Sequence, residues 1–397
     1  MTNNPPHILH VIPSLAQIHG GTTASVLEMI AGLEQQGMRC SIALSDDDGK
    51  GQRLPIDAPE RALAHRHYFP KRFDRYTYTP QMAPWLDAHL ADYDLVHIHG
   101  LFSHVNAMAG RKCRQHSIPY VITPHGMANR YGMNHKRFQK WVSFHLLERR
   151  LLEQAEAIHL TSRREEQDFL DLKINTPRQM IPLAVTPIEE SKADAMPAAH
   201  PILALDRAET GPIILFMGRL HPIKNIEALL TALTEPGLER HQVLIAGTGD
   251  GGYTQELKTL AQNLGLEARV HWLGFVTGAT KSTLFARADV FIQPSFSESF
   301  GMATIEALSA GLPCVLTHGV ANADDLNTAE LAALVDVTAP DIASGLLKAT
   351  GRKTPDFIRK AKAHIEAHYS RSALAKAMAG FYDQAMRHST SSMARPS

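Results

Sequence analysis

The chain has 397 residues, 44% hydrophobic and 20% charged, the proportions of a soluble globular protein with room for two or three domains, each with its own core. Forty Lys and Arg balance forty Asp and Glu, so nothing in the net charge argues for a nucleic-acid partner. Three cysteines, Cys40, Cys113 and Cys314, lie in or near apolar runs without CxxC spacing and read as reduced, buried thiols of a cytoplasmic protein. The N-terminus lacks the basic stretch of a signal peptide, and no apolar run approaches a membrane span.

Residues 7–13 (HILHVIP) form a short apolar run, followed by the small-residue loop His19-Gly20-Gly21-Thr22-Thr23. A helix pattern over 24–36 closes at Gly37, and 39–45 (RCSIALS) reads as the next strand. Strand, glycine loop, helix, strand is the opening of a doubly wound sheet, and Gly20 and Gly21 let backbone approach a ligand at the helix start. The run Asp46-Asp47-Asp48 looks like a metal-binding DxD, but it precedes Gly-Lys-Gly with no second acidic cluster nearby, so it reads as a solvated loop. Residues 61–76 mix basic and aromatic groups with poor periodicity. They read either as a surface loop or as an acceptor-side loop in which cations meet a lipid phosphate and aromatics meet a sugar or an acyl boundary.

Residues 93–99 (YDLVHIH) form a buried-type strand ending at Gly100. His97 and His99 share a face of it, and without a third ligand in view they predict no metal. The strand 120–123 (YVIT) runs into Pro124-His125-Gly126-Met127, which sets His125 at the C-terminal end of a parallel strand, where open α/β sheets bind ligands. Residues 129–153 carry Arg130, Lys136, Arg137, Lys140, Arg149 and Arg150, with Trp141, Phe144, Leu147 and Leu151 at helical spacing. This is a basic amphipathic helix, either docked on the domain or lying on an anionic membrane surface. The strand 157–161 closes the N-terminal sheet, and the Pro/Ala/acid-rich stretch 186–210 is a linker.

The same grammar then restarts. A strand at 212–217 leads into Gly218-Arg219-Leu220-His221-Pro222-Ile223-Lys224-Asn225 and a helix through Leu233. Arg219 and Lys224, five apart on a strand-to-helix loop opened by Gly218, supply a bidentate fork and a point charge for a diphosphate. After the strand 241–246, Gly247, Gly249 and Gly252 satisfy G-x-G-x-x-G, yet they come too late in the domain for a dinucleotide fingerprint and read as a bend beside a ligand cleft. Further strands are expected over 268–275 and 288–294.

Residues 295–317 (SFSESFGMATIEALSAGLPCVLT) organise the chain. A loop bearing Glu298 passes through Phe300-Gly301-Met302-Ala303 into a helix carrying Glu306, which stops at Gly311-Leu312-Pro313 before a short strand. The first-turn N–H groups and the helix dipole suit phosphate, while the two carboxylates suit the hydroxyls of a diol. The segment therefore reads as a clamp for hydroxyls at both ends of a ligand and phosphate between, as in a sugar nucleotide. A last strand over 332–337 and helices from 341 to about 386 complete the chain, with 388–397 as a disordered tail.

Taken together, Gly20-Gly21, TPHGM, GRLHPIKN, GTGD and the E-x7-E pair of Glu298 and Glu306 resemble the retaining glycosyltransferases of family 4, and the resemblance covers nearly the whole chain. It implies an α/β protein of the GT-B fold: two facing Rossmann-like, doubly wound parallel-sheet domains with an interdomain cleft. An acceptor-binding domain over 1–185 and a donor-binding domain over 211–375 would flank the linker, with a helix at 376–387 crossing back. By the resemblance, Gly20 and Gly21 touch the donor diphosphate, His125 approaches the donor sugar, and Arg219 and Lys224 bind the phosphates. Gly274 and Val276 line the base pocket, and Glu298 and Glu306 hold sugar and ribose hydroxyls.

The expected reaction is transfer of a hexosyl group from a UDP- or GDP-sugar to a lipid-linked or saccharide acceptor in bacterial polysaccharide or glycolipid synthesis, with no cofactor and no divalent metal. The setting is cytoplasmic, with peripheral contact through 129–153 on the inner face of the membrane. Two other classes fit the same residues: a sugar-nucleotide epimerase or phosphorylase on this fold, and a non-catalytic scaffold of polysaccharide assembly.

Overall fold

The structure is a computed structural model that describes residues 5–16, 21–49, 51–63, 65–73, 75–128, 143–188 and 211–393. It divides into two compact units, Met1–Ala184 with Arg371–Ser397, and Val185–Ser370. The expected linker, 186–210, falls almost wholly outside the described residues.

In the first unit the strands are β1 (His7–Ile12), β2 (Arg39–Ser45), β3 (Asp47–Gly49), β4 (Gln52–Arg53), β5 (Arg66–Phe69), β6 (Leu95–His99), β7 (Tyr120–Thr123), β8 (Ala157–Leu160) and β9 (Arg178–Met180). Seven of them form one parallel sheet in the order β5-β2-β1-β6-β7-β8-β9, and β3 and β4 pair as a small antiparallel hairpin. The sheet is doubly wound. Chain order runs outward from β1 to one edge and from β6 to the other, so the switch point lies between β1 and β6.

Alternation along the strands sends side chains to two apolar layers. Leu9, Val11, Val96 and Ile98 face one layer with the helices Met82–His89 and His104–His116. Ile8, Ile12, Ile42 and Leu44 face another, where Met378, Phe381 and Tyr382 of the C-terminal helix are fully buried. Burying each such side chain contributes about 1.5–3 kcal/mol, which fixes that helix to this unit.

Four local expectations are corrected. The stretch 61–76 is more than a loop, because Arg66–Phe69 pairs in register with β2 as an edge strand and Lys71 is buried. The run at 46–48 is solvated only at Asp48, which is exposed: Asp46 is buried, ion-paired to Arg53 at 2.9 Å and Arg61 at 3.3 Å, and it accepts from the Lys71 N–H at 2.8 Å. Asp47 pairs with Lys71. Asp46 and Asp47 are thus neutralised by the chain's own cations and serve the fold. The strand at 157–161 does not close the sheet, since β9 adds a further edge. The last helix spans Arg371–Met393, longer than 376–387 and taking in much of the stretch read as a disordered tail; 394–397 lie outside the described residues.

Within 129–153, the described part begins at Ser143. Phe144, Leu151 and Leu152 of this helix are buried in the core of the unit, while Leu147 is 45% exposed. Its apolar face is therefore docked where it is described. The basic residues Arg130, Lys136, Arg137 and Lys140 lie outside the described residues. Among the described residues no helix is long and apolar enough to cross a membrane.

The second unit holds β10 (Ile213–Met217), β11 (Gln242–Ala246), β12 (Val270–Gly274), β13 (Val290–Gln293), β14 (Cys314–Thr317) and β15 (Ala332–Val335), all parallel in the order β12-β11-β10-β13-β14-β15. Its switch point lies between β10 and β13. The strands read as continuous apolar runs because helices cover both faces of a parallel sheet. All three cysteines are free and buried, as the sequence predicts.

Candidate active site

In the second unit the switch point brings together the two loops that the sequence singles out, 218–225 after β10 and 295–301 after β13. They are tied by backbone: the Phe296 N–H donates to the Ile223 carbonyl at 2.8 Å. A single 3-10 turn, Pro222–Lys224, presents Lys224, and Asn225 takes the left-handed conformation to end it. The Asn225 amide secures that turn by donating to the Val337 carbonyl at 2.9 Å.

Lys224 Nζ contacts Glu298 Oε2, and Gln293 Nε2 donates to the same oxygen at 2.8 Å. Gln293 is held in turn by Thr304, whose hydroxyl donates to its Oε1 at 2.5 Å. The Glu298 backbone is pinned by its N–H to the Gly319 carbonyl at 2.9 Å, and its carbonyl accepts from Ala321 at 3.1 Å. The carboxylate is thus oriented on both sides, with Oε1 left without a donor among the described residues. Arg219 is exposed, and no described residue pairs with it.

Gly301, at φ 81°, caps the helix Met302–Ser309, so the N–H groups of Met302 and Ala303 head its first turn. Phe300 is buried against Tyr369, ring centroids 6.0 Å apart, which anchors the loop. On the second turn Glu306 pairs with Lys281 at 2.6 Å. The base-side turn keeps Gly274 at φ 67°, Val276 half-buried and Phe275 64% exposed. All of these loops leave the C-terminal ends of β10, β12 and β13, the edge where open parallel sheets bind ligands.

The glycines at 247 and 249 have a mechanical reason. A Cβ on Gly247 would stand 1.8 Å from the Gly218 carbonyl oxygen, and one on Gly249 2.1 Å from that of Leu220. The two loops pack backbone to backbone, with Gly218 N–H bonded to Ala246 at 2.9 Å and Leu220 N–H to Thr248 at 2.9 Å. The G-x-G-x-x-G match therefore serves the placement of the Arg219 loop.

In the first unit, Gly21 is the first residue of the helix Gly21–Gln35, and Gly20 lies outside the described residues. His125 follows β7 at φ 52°, in the left-handed region that few non-glycine residues occupy. The neighbouring Gly126 N–H donates to Glu165, a buried carboxylate that also accepts from the Thr161 N–H at 2.7 Å and its hydroxyl at 2.8 Å. Burial pushes the Glu165 carboxyl above its usual value, while those donors pull it down. Glu165 thus fastens the loop that carries His125.

Behind that loop lie four fully buried histidines: His10 on β1, His97 and His99 on β6, and His159 on β8. His97 bonds Tyr382 OH and Thr123 Oγ1, each at 2.6 Å, and His159 bonds the same Thr123 hydroxyl at 2.8 Å and the Ile181 carbonyl at 2.8 Å. A third histidine does stand beside His97 and His99, with ring nitrogens of His10, His97 and His99 all within 4.8 Å. The set does not fit a cation: His97 has both nitrogens in short hydrogen bonds and its ring packs over that of His99, centroids 4.0 Å apart, and no carboxylate or thiolate of the group offsets charge in this core.

Burial holds the four inner histidines neutral: His10 is pulled down to about 3, His159 to about 4, and His97 and His99 well below 6.5. Because these folded-state values lie below the unfolded value near 6.5, the unfolded chain binds more protons in acid. Stability is then fully present above about pH 6.5 and is lost as pH falls toward 4. Thermal unfolding followed from pH 7.5 to 4.5 is expected to show a steadily falling midpoint, and a flat profile would contradict neutral burial.

Gln293, Thr304, Lys281, Glu165, His10 and His159 escaped the sequence reading. Gln293 was the most legible, a polar residue closing an otherwise apolar strand. Lys281 and Glu165 sit on ordinary surface-type helix patterns, and only the fold shows their partners.

Two parallel, doubly wound sheets with ligand loops at their switch points define a GT-B architecture. Over that architecture, residues 20–184 match the family model described as a glycosyl transferase 4-like domain and 204–350 the model for glycosyl transferases group 1; the chain belongs to this glycosyltransferase family. It is 28% identical over 268 residues to an uncharacterized glycosyltransferase of Methanocaldococcus jannaschii, a match covering 65% of each chain. It is 29% identical over 192 residues to the alpha-monoglucosyldiacylglycerol synthase of Streptococcus pneumoniae, covering 47% of this chain and 42% of that one. In both cases the chain spans less than two thirds of the relative's length. Among solved structures, Anabaena HepE in complex with UDP and glucose superposes with a TM-score of 0.74 at 18% identity, over 95% of this chain and 99% of that one.

Proposed function

We propose that the protein is a retaining glycosyltransferase that moves a hexosyl group from a UDP- or GDP-sugar to a lipid-linked or saccharide acceptor, without a divalent metal. The observation that carries this reading is the Lys224–Glu298 pair at the switch point, beside the exposed Arg219 and the start of the helix Met302–Ser309. When no ligand is bound, cation and carboxylate satisfy each other. A sugar nucleotide replaces that contact with two better ones, phosphate on Lys224 and hydroxyls on Glu298.

Arg219, Lys224 and the helix N-terminus then neutralise the diphosphate as it leaves, where transition-state charge grows. Glu306, steadied by Lys281, accepts from the ribose hydroxyls, and His125 meets the sugar. The bond from the anomeric carbon to phosphate breaks as the acceptor oxygen attacks from the same face. The acceptor proton passes to a donor phosphate oxygen, and no covalent nucleophile is needed. Two neighbours support the substrate class: HepE was crystallised with UDP and glucose, and the streptococcal relative is a glycolipid synthase. A lipid-linked acceptor would bring the reaction to the membrane surface, with the basic residues 130–140 as its contact.

The anomeric proton coupling of the product tests the mechanism. An α-linked sugar nucleotide is expected to give an α-linked product; a β-linked product would contradict it. Release of free sugar, or turnover that needs inorganic phosphate, would favour the epimerase or phosphorylase reading.

A further inference from the structure

The row of imidazoles behind His125 is continuous, and its hydrogen-bond count has only two solutions. His10 Nδ1 lies 3.0 Å from His99 Nε2, and His99 Nδ1 lies 3.2 Å from His125 Nε2. The rings lie nearly parallel in sequence, centroids 5.3 Å apart at 14° and 5.4 Å apart at 25°, the separation of imidazoles that meet edge to edge through their nitrogens. At the inner end, His10 Nε2 is buried and has no partner. At the outer end, His125 is half-buried and its Nδ1 has no partner among the described residues.

A neutral imidazole carries one N–H, and each shared contact holds one proton. If the protons sit on Nε2 of all three rings, the chain ends in an N–H at His10 that is buried without an acceptor. If they sit on Nδ1 of all three, it ends in a bare lone pair. Orphaned buried N–H groups are the rarer of the two in folded proteins, so the Nδ1 arrangement is favoured. His97 cannot relieve either end, because Tyr382 and Thr123 occupy both its nitrogens.

We propose that His10 and His99 are positioning residues that lock His125 in its Nδ1–H tautomer, so that its outward nitrogen donates a hydrogen bond to an oxygen of the bound sugar. The ligand half of this inference rests on the functional reading of His125 above; the tautomer half stands on the geometry alone. A donor there suits a sugar hydroxyl or a phosphate-linked oxygen.

Ring-15N spectra of the whole protein separate protonated from bare nitrogens, with a His125→Asn variant assigning the His125 signals. The expected result is a His125 protonated on Nδ1. A wild-type His125 protonated on Nε2 overturns the proposal whatever the affinities show. His99→Phe keeps the ring packing against His97 but removes both contacts, and His99→Asn restores a donor near the Nδ1 position. Affinities are read with UDP and UDP-glucose, and with GDP and GDP-mannose in parallel.

His99→Phe is expected to weaken the sugar nucleotide by about tenfold, the worth of one neutral hydrogen bond, while leaving the bare nucleotide unchanged. His99→Asn should recover most of the loss. Equal losses for nucleotide and sugar nucleotide, or none for either, would overturn the positioning role. If His125→Asn itself leaves sugar-nucleotide affinity unchanged, the functional reading of His125 fails and the ligand half falls with it, while the wild-type spectrum still decides the tautomer.

Discussion

Lys224→Ala and Glu298→Ala are each expected to cut sugar transfer by roughly 10²–10³-fold, the usual cost of removing one group that meets charge in the transition state. The fold should survive both changes. The two side chains are 14% and 21% exposed, so the charge left behind in either variant is reached by water. The chief contacts that hold the loops are backbone bonds, Phe296 to Ile223 and Glu298 to Gly319, which neither substitution touches. Initial rates with the turned-over donor, alongside circular dichroism and unfolding midpoints, separate activity from folding. Unchanged transfer in both variants would remove the site assignment.

The second large effect is on stability. Gly247→Ala is expected to cost more than about 4 kcal/mol, beyond the ordinary range of single substitutions. The new Cβ would stand 1.8 Å from a backbone oxygen, which cannot turn aside as a side chain could, and the residue holds φ 151°. Relief would require moving the loop of Gly218 and Arg219, so the surviving folded fraction should also bind nucleotide poorly. Gly251→Ala is the control. Nothing lies within 4 Å of its Cβ, and it opens a helix, so its change should stay within about 1 kcal/mol. Urea unfolding of the two variants, read as midpoints against wild type, checks the contrast. Equal midpoints would mean that the two loops can separate freely.

Much of the architecture was legible because parallel strands buried on both faces write themselves as apolar runs. β2 falls at 39–45, as predicted, and β10 to β13 each lie inside their predicted runs. The E-x7-E segment was legible for a related reason: Gly301 and the Gly-Leu-Pro stop bracket a helix that local chemistry alone can delimit. β5 was not, because an edge strand such as Arg66–Phe69 keeps polar residues on its open side and loses the apolar signature. Nor was the fate of Asp46, since its partners Arg53, Arg61 and Lys71 come from a hairpin and loops with no periodic pattern.

The site divides in the same way. Arg219, Lys224 and Glu298 stood out because charged residues on strand-end loops are exceptions to the local pattern. Their supports did not. Gln293 and Thr304 orient Glu298 through contacts that depend on β13 lying beside the helix Met302–Ser309. The histidine row is the extreme case. His10 and His99 are 89 residues apart and meet only because β1 and β6 are neighbours at the switch point. A histidine inside an apolar run carries no sign of which strand will lie beside it.

The most direct test of the account is titration of the wild-type protein with UDP, GDP and ADP in the presence of EDTA, repeated with Lys224→Ala and read as thermal midpoints. One nucleotide is predicted to bind the wild type without metal, adding about 2.7 kcal/mol of stability at a hundredfold its dissociation constant. The variant should lose most of that shift. Binding of none of the three, binding only when a divalent cation is restored, or an equal shift in the variant would contradict the donor site described for Arg219, Lys224 and Glu298.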